Sequence, residues 1–312
     1  MSGPFFLVPV PITDAMITSS TAAEPGAGET AWNAATTYAV DDEAIRTGTH
    51  RVYTSVAAGV DATAPEVSQY KTTPRWVDTR PTNKWAAFDA LTSTQTELVS
   101  PLTYVIRPGP INAIACYGLD GATLSVSIKD APGGAVVFSR SIDLTEPPLD
   151  YYDYYFGRIK TLTKALIRDL VPYADPEITL TIEAAMGVTV KAGMIALGDL
   201  RALATAGTFG GTSAGAKAKP ISYSYVKTDD FGTTTIQRRG SATDLEMTVP
   251  LPNADTDTAL LTLQEILDVP VACIASDSPG FSGLNTFGLV SGDVVYQGPN
   301  YSVIQLSVKG FI

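Results

Sequence analysis

The side chains that could do chemistry in this 312-residue chain are few and scattered. Hydrolysing a glycan needs two carboxyl groups facing each other across the scissile bond. The candidate suppliers are Asp41-Asp42-Glu43, Asp229-Asp230, and Asp150 with Asp153. Acidic pairs among turn-forming neighbours are more commonly solvated turn residues, and that reading is favoured here. His50 is the only histidine and has no recognisable nucleophile motif beside it, so nothing points to a relay of the Ser–His type. Cys116 and Cys273 sit in the apolar strings Ala-Ile-Ala-Cys-Tyr and Val-Ala-Cys-Ile-Ala. They read as buried thiols rather than a disulfide framework or a zinc site. The string Gly210-Gly211-Thr212-Ser213-Ala214-Gly215 lacks the Gly-Lys-Ser/Thr ending of a phosphate loop. No acidic cluster has calcium-loop spacing. The expectation is therefore a chain with no catalytic residue, no metal and no cofactor.

Aromatic residues offer a different chemistry, stacking against sugar rings while polar neighbours hold the hydroxyls. Trp76, Tyr53, Trp32 and Tyr38 are the candidates, with Arg75 and Asp78 as polar neighbours. The same rings could instead be the core of the small unit that contains them. The densest aromatic run is Tyr151-Tyr152-Asp153-Tyr154-Tyr155-Phe156. Tyrosine buries area while keeping a polar tip, which suits an interface. If the run is extended, alternation turns about half of it inward, leaving Tyr152, Tyr154 and Tyr155 as candidate subunit contacts.

These residues must be positioned by a chain that is 45% hydrophobic and 17% charged, an ordinary globular balance. Its length suits two or three domains. Acidic residues outnumber basic ones 32 to 21, a formal charge of -11. Nucleic-acid binding requires clustered Lys and Arg, and the densest basic group is only Arg238-Arg239. No stretch approaches the roughly 20 apolar residues that span a bilayer. The apolar start Phe5-Phe6-Leu7-Val8 lacks a positive flank and is broken by Pro9 and Pro11, unlike a signal peptide. No nucleic acid and no membrane insertion are expected, and the chain is expected to be made and kept in the cytoplasm unless an assembly carries it elsewhere.

The element pattern is mainly β. Residues 1–30 read as a strand followed by a flexible linker rich in small residues, with Pro25, Gly26 and Gly28. Residues 31–80 read as a small three-stranded, aromatic-rich module, and residues 81–205 as a β-sandwich or jelly-roll domain. Clean alternation at residues 124–129 and 178–183 marks strands with one buried face. Residues 160–170 suit a short helix or an extended arm. Residues 206–312 read as a C-terminal β-rich domain carrying one helix. That helix is expected over 257–268, capped by Asp255 or Asp257, with Leu260, Leu261, Leu263, Ile266 and Leu267 on one face.

Two stretches resemble known families. Ile12-Thr13-Asp14-Ala15-Met16-Ile17-Thr18-Ser19-Ser20, with the later Arg80-Pro81-Thr82-Asn83-Lys84-Trp85-Ala86-Ala87-Phe88-Asp89, resembles a family of tailed-phage and prophage tail proteins. The likeness continues through Ile111-Asn112-Ala113-Ile114-Ala115, the tyrosine run, Ile221-Ser222-Tyr223-Ser224 and Asp230-Phe231-Gly232, nearly the whole chain. It implies a virion protein of tail-tip, baseplate or fibre type, assembled in the host cytoplasm. Its partners would be other tail or baseplate proteins and further copies of itself. The stretch from Trp32 to Trp76 is similar to small chitin-binding modules, with Trp32, Tyr38, Asp42, Ile45, Gly48, Tyr53 and Trp76 in corresponding places. That similarity implies contact with a host cell-surface glycan. Asp41 stands where the family's turn glycine is usual, and Val77 follows Trp76 where a second aromatic is usual. The alternatives are a dedicated carbohydrate-binding receptor protein and, less favoured, a glycan depolymerase.

Overall fold

A computed structural model of the chain describes residues 4–146, 150–157, 161–203, 211–238, 240–276 and 280–311. The fold is mainly β, with every named strand pair antiparallel. One face of a sandwich is a five-stranded sheet in the order Val136–Asp143, Thr123–Lys129, Glu177–Glu183, Leu102–Ile106, Ile17–Ser20. The alternation visible in the sequence is its cause. Leu124, Val126, Ile128, Ile178, Leu180 and Ile182 point into the core, while serines and threonines point to solvent. Each such buried aliphatic contributes about 1.5–3 kcal/mol of transfer free energy.

The opposing layer is a nine-stranded sheet. Its order is Lys164–Ile167, Ala113–Tyr117, Met194–Ala202, Phe5–Pro9, Val271–Ile274, Asn285–Tyr296, Tyr301–Gly310, Ser241–Pro252, Lys217–Ser222. Ala113–Tyr117 is buried at every position because it has cover on both faces. Ile114 and Cys116 meet the five-stranded sheet, and Ala113, Ala115 and Tyr117 meet Leu7, Met194 and Phe287. Strands on both sides of the boundary expected at 205/206 share this sheet, joined through Phe5–Pro9; the boundary itself lies outside the described residues. Gly198 permits the junction, since a Cβ there would sit 1.9 Å from the Val8 carbonyl oxygen.

The C-terminal helix runs Asn253–Glu265, starting four residues before the expected 257, with Pro252 at its N-cap and no side-chain cap from Asp255 or Asp257. Its buried stripe is Thr256, Ala259, Leu263 and Ile266. Leu261 and Leu267 face outward, because the helix rolls its i, i+3, i+7 face onto the sheet and leaves their side of the cylinder uncovered. Residues 164–167 form a strand rather than a helix.

Residues 31–81 form their own small unit. A three-stranded sheet of Glu43–Arg46, Arg51–Ser55 and Trp76–Pro81 stands beside the Thr37–Tyr38 and Gly59–Val60 pair. Asp41 has φ +70°, the left-handed turn conformation that glycine adopts freely and that Asp tolerates better than most residues. The departure at this position therefore keeps the turn. Among the described residues, no helix is long and apolar enough to cross a membrane.

Candidate functional site

The four aromatics expected to stack on sugars are brought together, three of them facing inward. Trp76, Tyr53 and Tyr38 are buried and pack with Ala44 as the module's core. Trp76 meets Tyr38 edge to face, with centroids 4.8 Å apart. A ring enclosed this way has no face for a ligand, so these three are structural. Trp32 is half-buried against the same cluster, and the Arg46 guanidinium lies 5.1 Å from its ring centroid. The indole N–H groups of Trp32 and Trp76 are buried without a hydrogen-bond partner. Arg75 donates to the Val60 carbonyl, and Asp78 pairs with Arg51 at 2.7 Å.

The strongest polar cluster lies where the module meets the sandwich, and it uses residues of the small-residue stretch before position 31, which is therefore no free linker. Glu24 has a side chain only 7% exposed. It accepts hydrogen bonds from Thr82 Oγ1 at 2.8 Å, Trp85 Nε1 at 3.1 Å and His50 Nδ1 at 3.0 Å. The His50 ring stacks on Trp85 at 4.1 Å. Glu29 accepts from the backbone N–H groups of Asn83 and Gly26, both at 2.7 Å. Asn83 in turn bonds both backbone groups of Glu97. The string Thr82-Asn83-Lys84-Trp85 thus bolts the module to the body through the two glutamates. Two acids in an otherwise small-residue stretch were the available signal, because a solvated linker has no need of them.

The tyrosine run is a helix, Tyr151–Phe156, rather than an extended strand, so alternation does not apply. Tyr151, Tyr152, Tyr154, Tyr155 and Phe156 are all exposed, each at 67% or more. The side chain of Asp153 lies outside the described ones. A second exposed apolar element is the hairpin of Tyr225–Thr228 and Thr234–Gln237, which continues the sheet's Lys217–Ser222 and Ser241–Pro252 strands beyond the body. Residues 225–238 are all exposed.

Three of the acids named as possible suppliers of a carboxylate pair have structural partners. Asp42 accepts from Ala39 N, Glu43 pairs with Arg80 at 2.7 Å, and Asp229 bonds the N–H groups of Phe231 and Thr233. Desolvation raises the Asp89 carboxyl, opposed by bonds from Thr94 and Leu91 N. Burial pushes the Cys116 thiol up to about 12 and the Cys273 thiol higher still. Burial also lowers Lys164, which donates to the Asn285 carbonyl, while Tyr117 donates to the Asn285 side chain. Among the described residues, no group of three or more His, Cys, Asp and Glu gathers to hold a metal ion. Gly210 of the glycine-rich string and Arg239 of the basic pair lie outside the described residues.

No family model matches the chain, and neither does any curated protein or solved structure.

Proposed function

We propose that this protein is a non-catalytic structural subunit of a multi-copy assembly, of the phage tail-tip or baseplate kind that its sequence resembles. The sandwich and the C-terminal β-rich part with its helix form the rigid body. The inserted module is carried on the Glu24/Glu29 bolt, and copies and neighbouring tail proteins dock on the body. The observation that carries this reading is the display of aromatic side chains on short elements outside the core: the Tyr151–Phe156 helix and the 225–237 hairpin. Exposed aromatic patches of this kind are the usual anchors of protein interfaces. The test is to image particles with a label on the module and to measure the mass of the purified chain in solution. Label at the distal end of tails, together with concentration-dependent oligomers, supports the proposal. A strictly monomeric chain that never enters particles overturns it.

A second reading, a dedicated host-glycan receptor, draws on Trp32, the one ring of the four left partly open. Glycan binding by the full chain, lost in Trp32→Ala while the module stays folded, would favour it. Loss in Trp76→Ala alone would report only a collapsed core.

A further inference from the structure

Lys164 and Tyr117 lie directly opposite each other on the neighbouring strands Lys164–Ile167 and Ala113–Tyr117, so their side chains leave the same face of the sheet side by side. Both reach one residue. Lys164 Nζ donates to the Asn285 backbone carbonyl at 2.5 Å, and Tyr117 Oη donates to Asn285 Oδ1 at 2.6 Å. Asn285 opens the sixth strand of the nine-stranded sheet, counting from Lys164–Ile167 as the first. In a flat sheet, five spacings of about 4.8 Å would hold those strands about 24 Å apart, far beyond a lysine's reach. They meet because the sheet curls. Ala113, Ala115, Ala196 and Ala272 share one buried cluster with Tyr117 and Phe287, and their small side chains take up little room on the concave side.

The meeting brings an amine to an amide in surroundings that suit a reaction between them. Tyr117 and Asn285 are buried, and the Phe287 ring packs 5.9 Å from that of Tyr117. Burial alone lowers the Lys164 ammonium, so a larger share of it is the neutral, nucleophilic amine. Burial also pushes the Tyr117 phenol well above its ordinary range, so its proton stays in place to polarise the Asn285 side-chain carbonyl. The oxygen that Nζ holds belongs to the same residue as the amide carbon Cγ, and rotation about the terminal bonds of the lysine turns Nζ from one towards the other.

The geometry points to an intramolecular isopeptide bond between Lys164 Nζ and Asn285 Cγ. The neutral amine adds to Cγ while Tyr117 stabilises the negative charge gathering on Oδ1. A proton passes from Nζ to Nδ2, the Cγ–Nδ2 bond breaks, and ammonia leaves. One amide replaces another, with no oxidant or reductant. Two groups fixed side by side react as one molecule rather than by collision, which supplies the rate. The product ties the first strand of the sheet to the sixth and closes that part of it into a covalent ring. The bond is a property of the single chain, whether or not copies assemble.

The test is intact-mass spectrometry of the full wild-type chain, followed by proteolysis and peptide mapping. The expected mass is lower than that of the sequence by one ammonia, and the map should contain a branched peptide joining Lys164 to Asn285. Lys164→Met, similar in length but without the amine, should keep the full mass. Tyr117→Phe, which keeps the ring, should form the bond on the order of a hundredfold more slowly, the loss typical of a removed oxyanion donor. A folded wild-type chain that keeps its full mass through long incubation in mildly alkaline buffer overturns the bond, whatever the variants do. So does a loss of ammonia that maps to any other residue. Linkage in Tyr117→Phe as fast as in wild type overturns the part given to Tyr117.

Discussion

Removing the carboxylate of Glu24 should loosen the module from the body. In Glu24→Ala, the Thr82 hydroxyl and the Trp85 indole N–H lose their acceptor, and both residues are buried. Each buried group left unsatisfied costs about 1–3 kcal/mol. The His50 pair is partly solvated and adds no more than about 1 kcal/mol. The expected loss is about 2–7 kcal/mol, a large share of the roughly 5–15 kcal/mol that typically holds a domain folded. Guanidinium unfolding followed by circular dichroism measures it, with Asp257→Ala, an exposed carboxylate, as the control expected to change stability by no more than about 0.5 kcal/mol. Hydrogen exchange should locate the loosening in residues 20–30 and 81–88. A loss under about 1 kcal/mol, or one matched by the control, would refute the view that the bolt holds the module.

Other outcomes follow from the same geometry. Trp76→Ala deletes the largest side chain of a four-residue core and should cost about 3–5 kcal/mol, seen as loss of exchange protection confined to residues 31–81. Glu66 is held below the ordinary carboxylate range: burial acts against this, but the Arg46 fork, bonding both its oxygens, prevails. Its stabilising contribution is therefore present above the unfolded pKa and is lost as pH falls through the folded one; acid titration of module unfolding should show this step, and Glu66→Gln should abolish it. At the left-handed Asp41 turn, Asp41→Gly should leave stability within about 1 kcal/mol of wild type, whereas Asp41→Val should cost about 1–2 kcal/mol more by thermal melt. Neither thiol should react with a chromogenic disulfide at neutral pH until denaturant is added, because Cys116 and Cys273 are buried and protonated.

Strand content was legible wherever one face is wet. Residues 124–129 and 178–183 alternate because a polar side lies outside, and the strands fall there within a residue. What period cannot reveal is partnership across the chain. Nothing local in Phe5-Phe6-Leu7-Val8 says that it lies between Met194–Ala202 and Val271–Ile274. Alternation along the tyrosine run presumes an extended chain and turns half of it inward, whereas the run forms a helix with its rings in solvent. In the module, spacing identified which rings belong together and left their direction open, since a stacking platform and a core use the same residue types. Glu24 and Glu29 lie among small residues whose average composition is that of a linker, and only their two charges mark them out.

The position of Phe5–Pro9 also bears on how the molecule comes into being. The strand emerges well before its partners: the first pairing waits for residues 194–202, and the second for 271–274. Pairings between such distant stretches are slow to form, and until they do an apolar ribbon, with Phe6 and Leu7 in it, remains uncovered. Synthesis of this polypeptide therefore carries a long interval of vulnerability to clumping, one that chaperone supply and growth temperature should govern more than the strength of the finished fold.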